Sequence, residues 1–376
     1  MEQKKILIIC GEASGEIHAA GLIEELRKLS PDIKVSGTGS ELLRSKGAEV
    51  FYDIKDLAVM GFFDVFKKLP KFFALKKLIL SKIKAENPNA VIFVDFSGFN
   101  LRLAKEINNT TTTIYYVSPQ IWASRPGRIK TLKKYIRRII VLFKFEREFY
   151  KERKVEVDWA GHPLLDTVKP TLQKKELLNN LKLVEGKTTI ALFPGSRKQE
   201  VKRILPIMLK SSKIIGKNLE SQFIVAKSSQ VDWHIYNTII NNSKLDVKIV
   251  EGKPYDCMNI AHFCLVCSGT ATLEAAIMEK PLAIVYKTGF LNYLLYRPLI
   301  KIPFIGIINI IPNKIIAPEF IQFNARPKKI AKFVTGILRN PEELKTMRDN
   351  LARVKSSLGE PKAASRAARS ILNILQ

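Results

Sequence analysis

Short apolar runs alternate with amphipathic stretches along the chain, the signature of βα units feeding a parallel sheet. Lys5-Ile-Leu-Ile-Ile-Cys10 reads as a buried strand. A glycine turn follows, then a helix over about Glu16 to Leu29 with apolar Ile17, Ala20, Leu22 or Ile23, and Leu26. Further strands are predicted at Ile33–Ser36, Ala90–Asp95, Thr112–Val117, Arg138–Leu142 and Val157–Ala160, with helices between them. Around residues 166–187 the pattern lapses into polar positions, KPTLQKKELLNNLKLVEGK, as expected of a linker with a short helix. It then restarts, with strands predicted at Thr189–Phe193, Gln222–Ala226, Val247–Val250, Phe263–Cys267 and Leu282–Tyr286. From Pro341 onward the chain is helical and strandless.

This pattern predicts an α/β protein with two doubly wound, Rossmann-like halves and a helical C-terminal tail. The boundaries are expected at 1–167, 168–340 and 341–376, the tail packing back on the first half. A chain of 376 residues is long enough for two cores. In open α/β sheets ligands bind outside the carboxyl ends of the strands, so the functional residues are sought there. Two such sheets facing a central cleft would place sites on both of its walls.

Composition sharpens the picture at one point. Apolar residues make up 46% and charged residues 26%, ordinary for a globular protein, but 62 Lys+Arg against 35 Asp+Glu leave a net charge of +27. That excess points to an anionic partner: nucleic acid, a phosphorylated substrate or an anionic membrane surface. The four cysteines (Cys10, Cys257, Cys264 and Cys267) are too few for a disulfide framework and suit a reducing cytosol. Cys264-x-x-Cys267 lies inside an apolar strand, where residues three apart point to opposite faces, so buried thiols are expected rather than a metal pair. No stretch approaches the length of a membrane-spanning helix. No dinucleotide fingerprint, Walker A loop or Asp-x-Asp metal motif occurs, and neither a metal nor a cofactor is expected.

Four strand ends carry candidate chemistry. After the first comes Gly11-Glu-Ala-Ser-Gly15-Glu16, which serves either as a structural turn or as a seat for an anion or a hydroxyl-rich sugar. Glu12 has no evident capping duty, which favours a ligand contact for Glu12, Ser14 and Gly15. At the mouth of the strand Ala90–Val94 stands Asp95, either a helix cap or a general base, since a carboxylate there is costly unless paired or used. In Phe193-Pro-Gly-Ser-Arg197, Gly195 and Ser196 precede a helix beside an arginine fork, which suits a diphosphate; an ordinary βα turn is the alternative. In Cys267-Ser-Gly-Thr-Ala-Thr-Leu-Glu274, Ser268, Gly269 and Thr270 offer donors to phosphate, and Glu274 sits one helical turn on, placed for a ribose diol. His162, after a strand and next to a glycine, is read as structural.

Residues 62–84, FFDVFKKLPKFFALKKLILSKIK, interleave seven lysines with more apolar area than one helix face needs against a sheet. Phe62, Phe63, Phe66, Leu69, Phe72 and Phe73 would suit a membrane interface or acyl chains. The alternative is a core helix with snorkelling lysines. Phe290–Ile311 is a second apolar candidate.

Read together, GEASGE at 11–16, LAVMGFFDVF at 57–66, VDFSGFN at 94–100, YYVSPQIWA at 115–123, AGHPLLD at 160–166, FPGSR at 193–197, CSGTATLEAA at 267–276 and KIIAPEFIQ at 314–322 resemble, in order, the lipid-A-disaccharide synthases. The resemblance covers nearly the whole chain. It implies a GT-B glycosyltransferase that joins UDP-2,3-diacylglucosamine to 2,3-diacylglucosamine 1-phosphate, giving lipid A disaccharide 1-phosphate and UDP. Under it Asp95 corresponds to the catalytic base and Arg197 to the arginine at the donor diphosphate. Glu12, Ser14 and Gly15 match the first turn, and Ser268, Gly269, Thr270 and Glu274 the nucleotide wall. Asn309, Glu319 and Gln322 match polar positions that face the donor. It further implies a peripheral protein on the cytoplasmic face of the inner membrane and a homodimer with exchanged C-terminal segments. Glu16 where aspartate is usual, Ser124 where tryptophan is common and Lys144 in place of proline are departures. Two other readings share parts of the pattern: a UDP-sugar glycosyltransferase or epimerase acting on non-acylated substrates, and a basic nucleic-acid-binding protein.

Overall fold

The computed structural model describes residues 3–57, 62–289 and 302–376, with the side chains of residue 56 and residues 62–68 outside the description. The side chains of Phe62, Phe63 and Phe66, and the stretch of the second apolar candidate from Phe290 to Lys301, therefore lie outside the described residues. The chain forms two compact units. One comprises Met1–Pro163 and Leu358–Gln376, the other Leu164–Arg297 and Ile302–Ser357.

The first unit is built on a seven-stranded sheet: β1 (Lys5–Ile9), β2 (Lys34–Gly39), β3 (Glu49–Asp53), β4 (Ala90–Val94), β5 (Thr112–Tyr116), β6 (Arg138–Val141) and β7 (Val157–Trp159). Their order is β3-β2-β1-β4-β5-β6-β7, and every neighbouring pair is parallel. Each long central strand is a run of aliphatic residues because helices cover both faces of a parallel sheet. β4 is buried from end to end. The second unit repeats the plan with β8 (Thr188–Phe193), β9 (Ser221–Lys227), β10 (Lys248–Glu251), β11 (Phe263–Cys267), β12 (Leu282–Tyr286) and β13 (Glu319–Ile321), ordered β10-β9-β8-β11-β12-β13.

The alternation of apolar runs therefore gave the doubly wound class and most strands. It missed β3 and β13. Both are edge strands whose residues are only partly buried, and β13 is three residues long, so neither shows a continuous apolar run. The four cysteines are buried free thiols, and burial pushes Cys264 up to about 12.

In each sheet the winding reverses between two neighbouring strands, β1 and β4 in the first and β8 and β11 in the second. At such a switch point the connecting loops diverge and leave a crevice at the strands' carboxyl ends. The four glycine- and polar-rich segments singled out in the sequence follow these four strands.

The strandless tail divides. Helix Pro341–Ser357 buries Met347, Leu351 and Val354 and packs in the second unit against helices Thr270–Ile277 and Pro327–Leu338. Leu358 to Pro361 break the helix, Gly359 with φ +91°. Only the last helix, Ala363–Ile374, lies on the first unit, with Ala367, Ala368 and Ile371 in its core. Its alanine-rich face lets it approach helix Ala13–Leu29 closely: a Cβ on Gly21 would stand 3.8 Å from that of Ala364. Arg366 ties it to the carbonyl of Ala160 at 2.7 Å. No described helix is long and apolar enough to cross a membrane.

Candidate active site

In the first unit, the end of β4 is a strained turn. Asp95 and Phe96 both have left-handed backbones, φ +49° and +48°, a state that costs non-glycine residues roughly 1–3 kcal/mol each unless the surroundings impose it. Two side chains do so. The Asp95 carbonyl accepts hydrogen bonds from Asn100 Nδ2 at 2.8 Å and from the buried Tyr115 hydroxyl at 2.5 Å. The Phe96 ring is stacked on Phe99 with centroids 5.2 Å apart and flanked by Phe72 at 6.0 Å. It also explains Gly11, where a Cβ would fall 2.4 Å from the ring.

This turn presents Asp95 to the first loop. A Cβ on Gly15 would lie 3.3 Å from that of Asp95, so the glycine lets helix Ala13–Leu29 begin against the carboxylate. Glu12 occupies the N-cap position yet makes no capping bond, and it and Ser14 are exposed. Asp95 has no cation within 4 Å among the described residues. Burial first, and the Glu12 charge second, push its carboxyl up to about 6, against the pull of the Phe96 amide. That places it where a general base is most effective. The structure thus places Glu12, Gly15 and Asp95 side by side at one switch point.

His162 is not part of this group. It is buried with its ring 6.1 Å from that of His18 and 5.1 Å from that of Phe143, and burial drives it down to about 3, a neutral imidazole. Of the apolar helix Phe62–Glu86, Leu75, Ile79 and Ile83 belong to the core. Phe72 turns inward to the Phe96 cluster and Leu69 is half-buried, whereas Phe73 is 62% exposed with the Lys76 ammonium 5.8 Å above its ring. The helix is therefore a core element with one outward aromatic among its described side chains.

The second unit's switch point is organised by a carboxylate that the sequence reading passed over. Glu200, in the first turn of helix Lys198–Asn218, accepts the amides of Ser196 and Arg197, both at 3.2 Å. A Cβ on Gly195, whose φ is +107°, would meet the same carboxylate at 2.4 Å. Gly195 and Ser196 therefore serve Glu200, and the Ser196 and Arg197 amides expected to face an anion are already spent. The glutamate at the third helical position was the available signal, since such a residue commonly reaches back to the cap. What remains open is the Arg197 guanidinium, 64% exposed and 3.6 Å from Glu200. Its charge is felt by Cys267 at the end of β11 and by Tyr286 at the end of β12, so the three strand ends share one electrostatic neighbourhood.

Beyond Cys267, Gly269 and Thr270 are exposed at the start of helix Thr270–Ile277, and a Cβ on Gly269 would meet nothing within 4 Å. This glycine is needed for its backbone angle, φ +153°, and not for space. Ser268 donates to the Ile305 carbonyl at 3.3 Å. Glu274 accepts from the Tyr255 hydroxyl at 3.3 Å, and burial raises its carboxyl above the usual range.

Asn309, Glu319 and Gln322 are hydrogen-bonded within the fold. Asn309 is fully buried, donating to the Ala317 carbonyl and Glu319 and accepting from the Ile316 and Ala317 amides, at 2.7–3.0 Å. Glu319 also accepts the amides of Ile305 and Gly306. Gln322 accepts the Thr288 amide at 2.8 Å. These side chains hold the backbone around the ends of β12 and β13, and their hydrogen-bonding capacity goes into the fold.

With this geometry in place, comparison with known proteins is decisive. The family profile described as lipid-A-disaccharide synthetase matches residues 6–374. The chain belongs to that family. A lipid-A-disaccharide synthase of Syntrophus aciditrophicus is 38% identical over 380 aligned residues, spanning 100% of this chain and 99% of the relative. One of Coxiella burnetii is 34% identical, with both chains covered in full. Among solved structures, a UDP-GlcNAc 2-epimerase from Neisseria meningitidis bound to UDP-GlcNAc superposes with TM-score 0.65 at 14% identity, covering 98% of this chain and 100% of that one. A glycosyltransferase from Rickettsia africae gives 0.60 at 12%, covering 100% and 99%. At such identities the likeness shows the fold, that of the GT-B glycosyltransferases. The family membership shows a hexosyltransferase of lipid A synthesis.

Proposed function

We propose that this family member joins UDP-2,3-diacylglucosamine to 2,3-diacylglucosamine 1-phosphate by a single inverting displacement. Asp95 takes the proton from the acceptor's 6-hydroxyl as that oxygen attacks the anomeric carbon of the donor. The new C1–O6 bond forms while the bond from C1 to the UDP oxygen breaks, and UDP leaves with the electron pair. The Arg197 guanidinium balances the charge growing on the diphosphate, and the exposed backbone at Gly269 and Thr270 offers donors beside it. A well-placed donor of this kind is worth roughly 3–4 kcal/mol in the transition state. The Ser196 and Arg197 amides have no part in it.

The observation that carries this reading is the Asp95 turn. A half-buried carboxylate with no counter-charge among the described residues, its pKa raised to about 6 and its backbone held left-handed over two residues, is an expensive arrangement. Phe73 and the lysines around it support contact of this helix with an anionic bilayer at the cytoplasmic face of the inner membrane, where the acylated substrates reside.

The test is to incubate purified protein with both lipid substrates and follow disaccharide 1-phosphate and UDP, expected in equal amounts. Arg197→Gln should lower kcat/KM about 100-fold. Equal turnover of soluble UDP-N-acetylglucosamine would favour the non-acylated reading instead. Absence of product with either donor would refute the transfer reaction.

A further inference from the structure

Beside the Asp95 turn lies a second strained feature, in a loop of unexceptional sequence. The segment Arg125-Pro-Gly-Arg128 comes after β5 and forms a short 3-10 turn that begins at Arg125, whose φ is +55°. Val117, a β-branched residue at the end of β5, has φ +60°. Non-glycine left-handed residues thus gather on the loops after β4 and β5, as strain does around sites that must hold a fixed geometry.

Arg128 is half-buried, and its Nη1 donates to Ser97 Oγ at 3.1 Å, two residues beyond Asp95. The charges that act on it include Arg125 and Arg102, the latter on the helix Ser97–Ile107 that starts from the same turn. Arg102 and Arg125 are exposed. Among the described residues, none of the three guanidiniums has a carboxylate within 4 Å. Partial burial and its like-charged neighbours both hold Arg128 below its ordinary range, so the cluster costs stability as it stands. An anion relieves that cost. Guanidinium forks recognise phosphate oxygens two at a time, which suits a discrete phosphate group.

We propose that Arg102, Arg125 and Arg128 form the seat for the phosphomonoester of the acceptor sugar, and so aim its hydroxyl at Asp95. The proposal rests on the transfer reaction assigned to Asp95 and Arg197. In that acceptor the phosphate is on C1 and the attacking oxygen on C6, carried by C5, so the two groups flank the ring oxygen of one pyranose. A seat linked through Ser97 to the base therefore fixes the phosphate and the attacking hydroxyl at once. The same guanidiniums could bind phospholipid headgroups, but Arg128 is half-buried and pinned by Ser97, which fits one held phosphate better than a mobile lipid layer.

The experiment compares the acceptor with and without its 1-phosphate, in wild type, Arg125→Gln, Arg128→Gln and the charge-retaining Arg125→Lys. Wild type should prefer the phosphorylated acceptor. That preference in kcat/KM should fall about 10- to 100-fold in the two Gln variants, the loss expected from removing one charge-assisted contact. It should be largely kept in Arg125→Lys, and the donor KM should not move. Because Arg125 is exposed, its variants keep the test free of folding losses. An undiminished preference in a productive Arg125→Gln enzyme overturns the seat while leaving the reaction intact. So do variants that lose affinity for phosphatidylglycerol vesicles yet keep the acceptor preference, which would make the cluster a headgroup site. Wild-type protein that joins neither acceptor overturns the reaction and the seat together.

Discussion

The two switch points are built from the same topology but carry opposite electrostatics. After β8 and β12, charged and polar side chains meet their partners inside the protein: Glu200 takes two amides, Glu319 takes those of Ile305 and Gly306, and Asn309 uses every bond it can make. After β4 and β5 the same accounting does not close. Asp95 is half-buried beside Glu12 with no cation among the described residues, and Arg128 is held against like charges. Buried polar groups are normally satisfied, and groups left unsatisfied on a strained backbone mark where a fold gives up stability for chemistry. The first switch point is frustrated and the second is a scaffold from which the exposed Arg197 projects. Substitutions should therefore change activity and stability in opposite proportions at the two places.

The largest effect is expected at Asp95. Asp95→Asn keeps the shape but cannot accept the proton, so kcat should fall about 1,000-fold, within the usual range for a lost general base, while UDP affinity measured by calorimetry stays unchanged. The same variant should be more stable than wild type at pH 8. The folded carboxyl lies above its unfolded value, so wild-type stability is complete below about pH 4 and falls as pH rises through about 6. The gain in Asn, up to about 3 kcal/mol, should vanish in unfolding measured at pH 4. A variant that keeps its turnover would take the carboxylate out of the reaction.

Glu319→Ala should show the reverse. It strips the Ile305 and Gly306 amides and the Asn309 amide of their acceptor, costing about 2–4 kcal/mol in denaturant unfolding, with kcat of the folded enzyme within about 10-fold of wild type. Loss of donor binding without loss of stability would instead restore Glu319 to the donor site.

The smallest effect is in the pH profile. Because the base must be ionised, kcat/KM should climb tenfold per pH unit below about 6 and level off above it. Glu12→Gln removes a like charge and should move the inflection to lower pH. A profile flat from pH 5 to 8 would contradict the assignment.

How much of the molecule is legible in the chain itself differs by level. The buried strands are legible because a parallel sheet covered on both faces demands uninterrupted aliphatic runs, and the places of Gly15 and Asp95 just after two of them follow from the same runs. Polar residues are harder. The resemblance sets Asn309, Glu319 and Gln322 at the donor, and a linear string does not tell that these side chains also bond their own backbone. Gly195 reads as room for phosphate when it is room for Glu200. Arg125 and Arg128 give no signal, because an arginine in a loop is unexceptional until its neighbours are known. Phe72 reads as part of an outward apolar face, since helical spacing alone does not separate it from Phe73.

The last helix has a consequence for biogenesis. By the time Ser357 is polymerised, every strand of the second unit exists, yet the N-terminal unit still lacks Ala367, Ala368 and Ile371, which close the packing over helix Ala13–Leu29. Chains usually complete their domains in the order in which they emerge from the ribosome. Here the half made first is finished last, so a stop codon between Ser357 and Ala367 would damage the unit at the other end of the polypeptide.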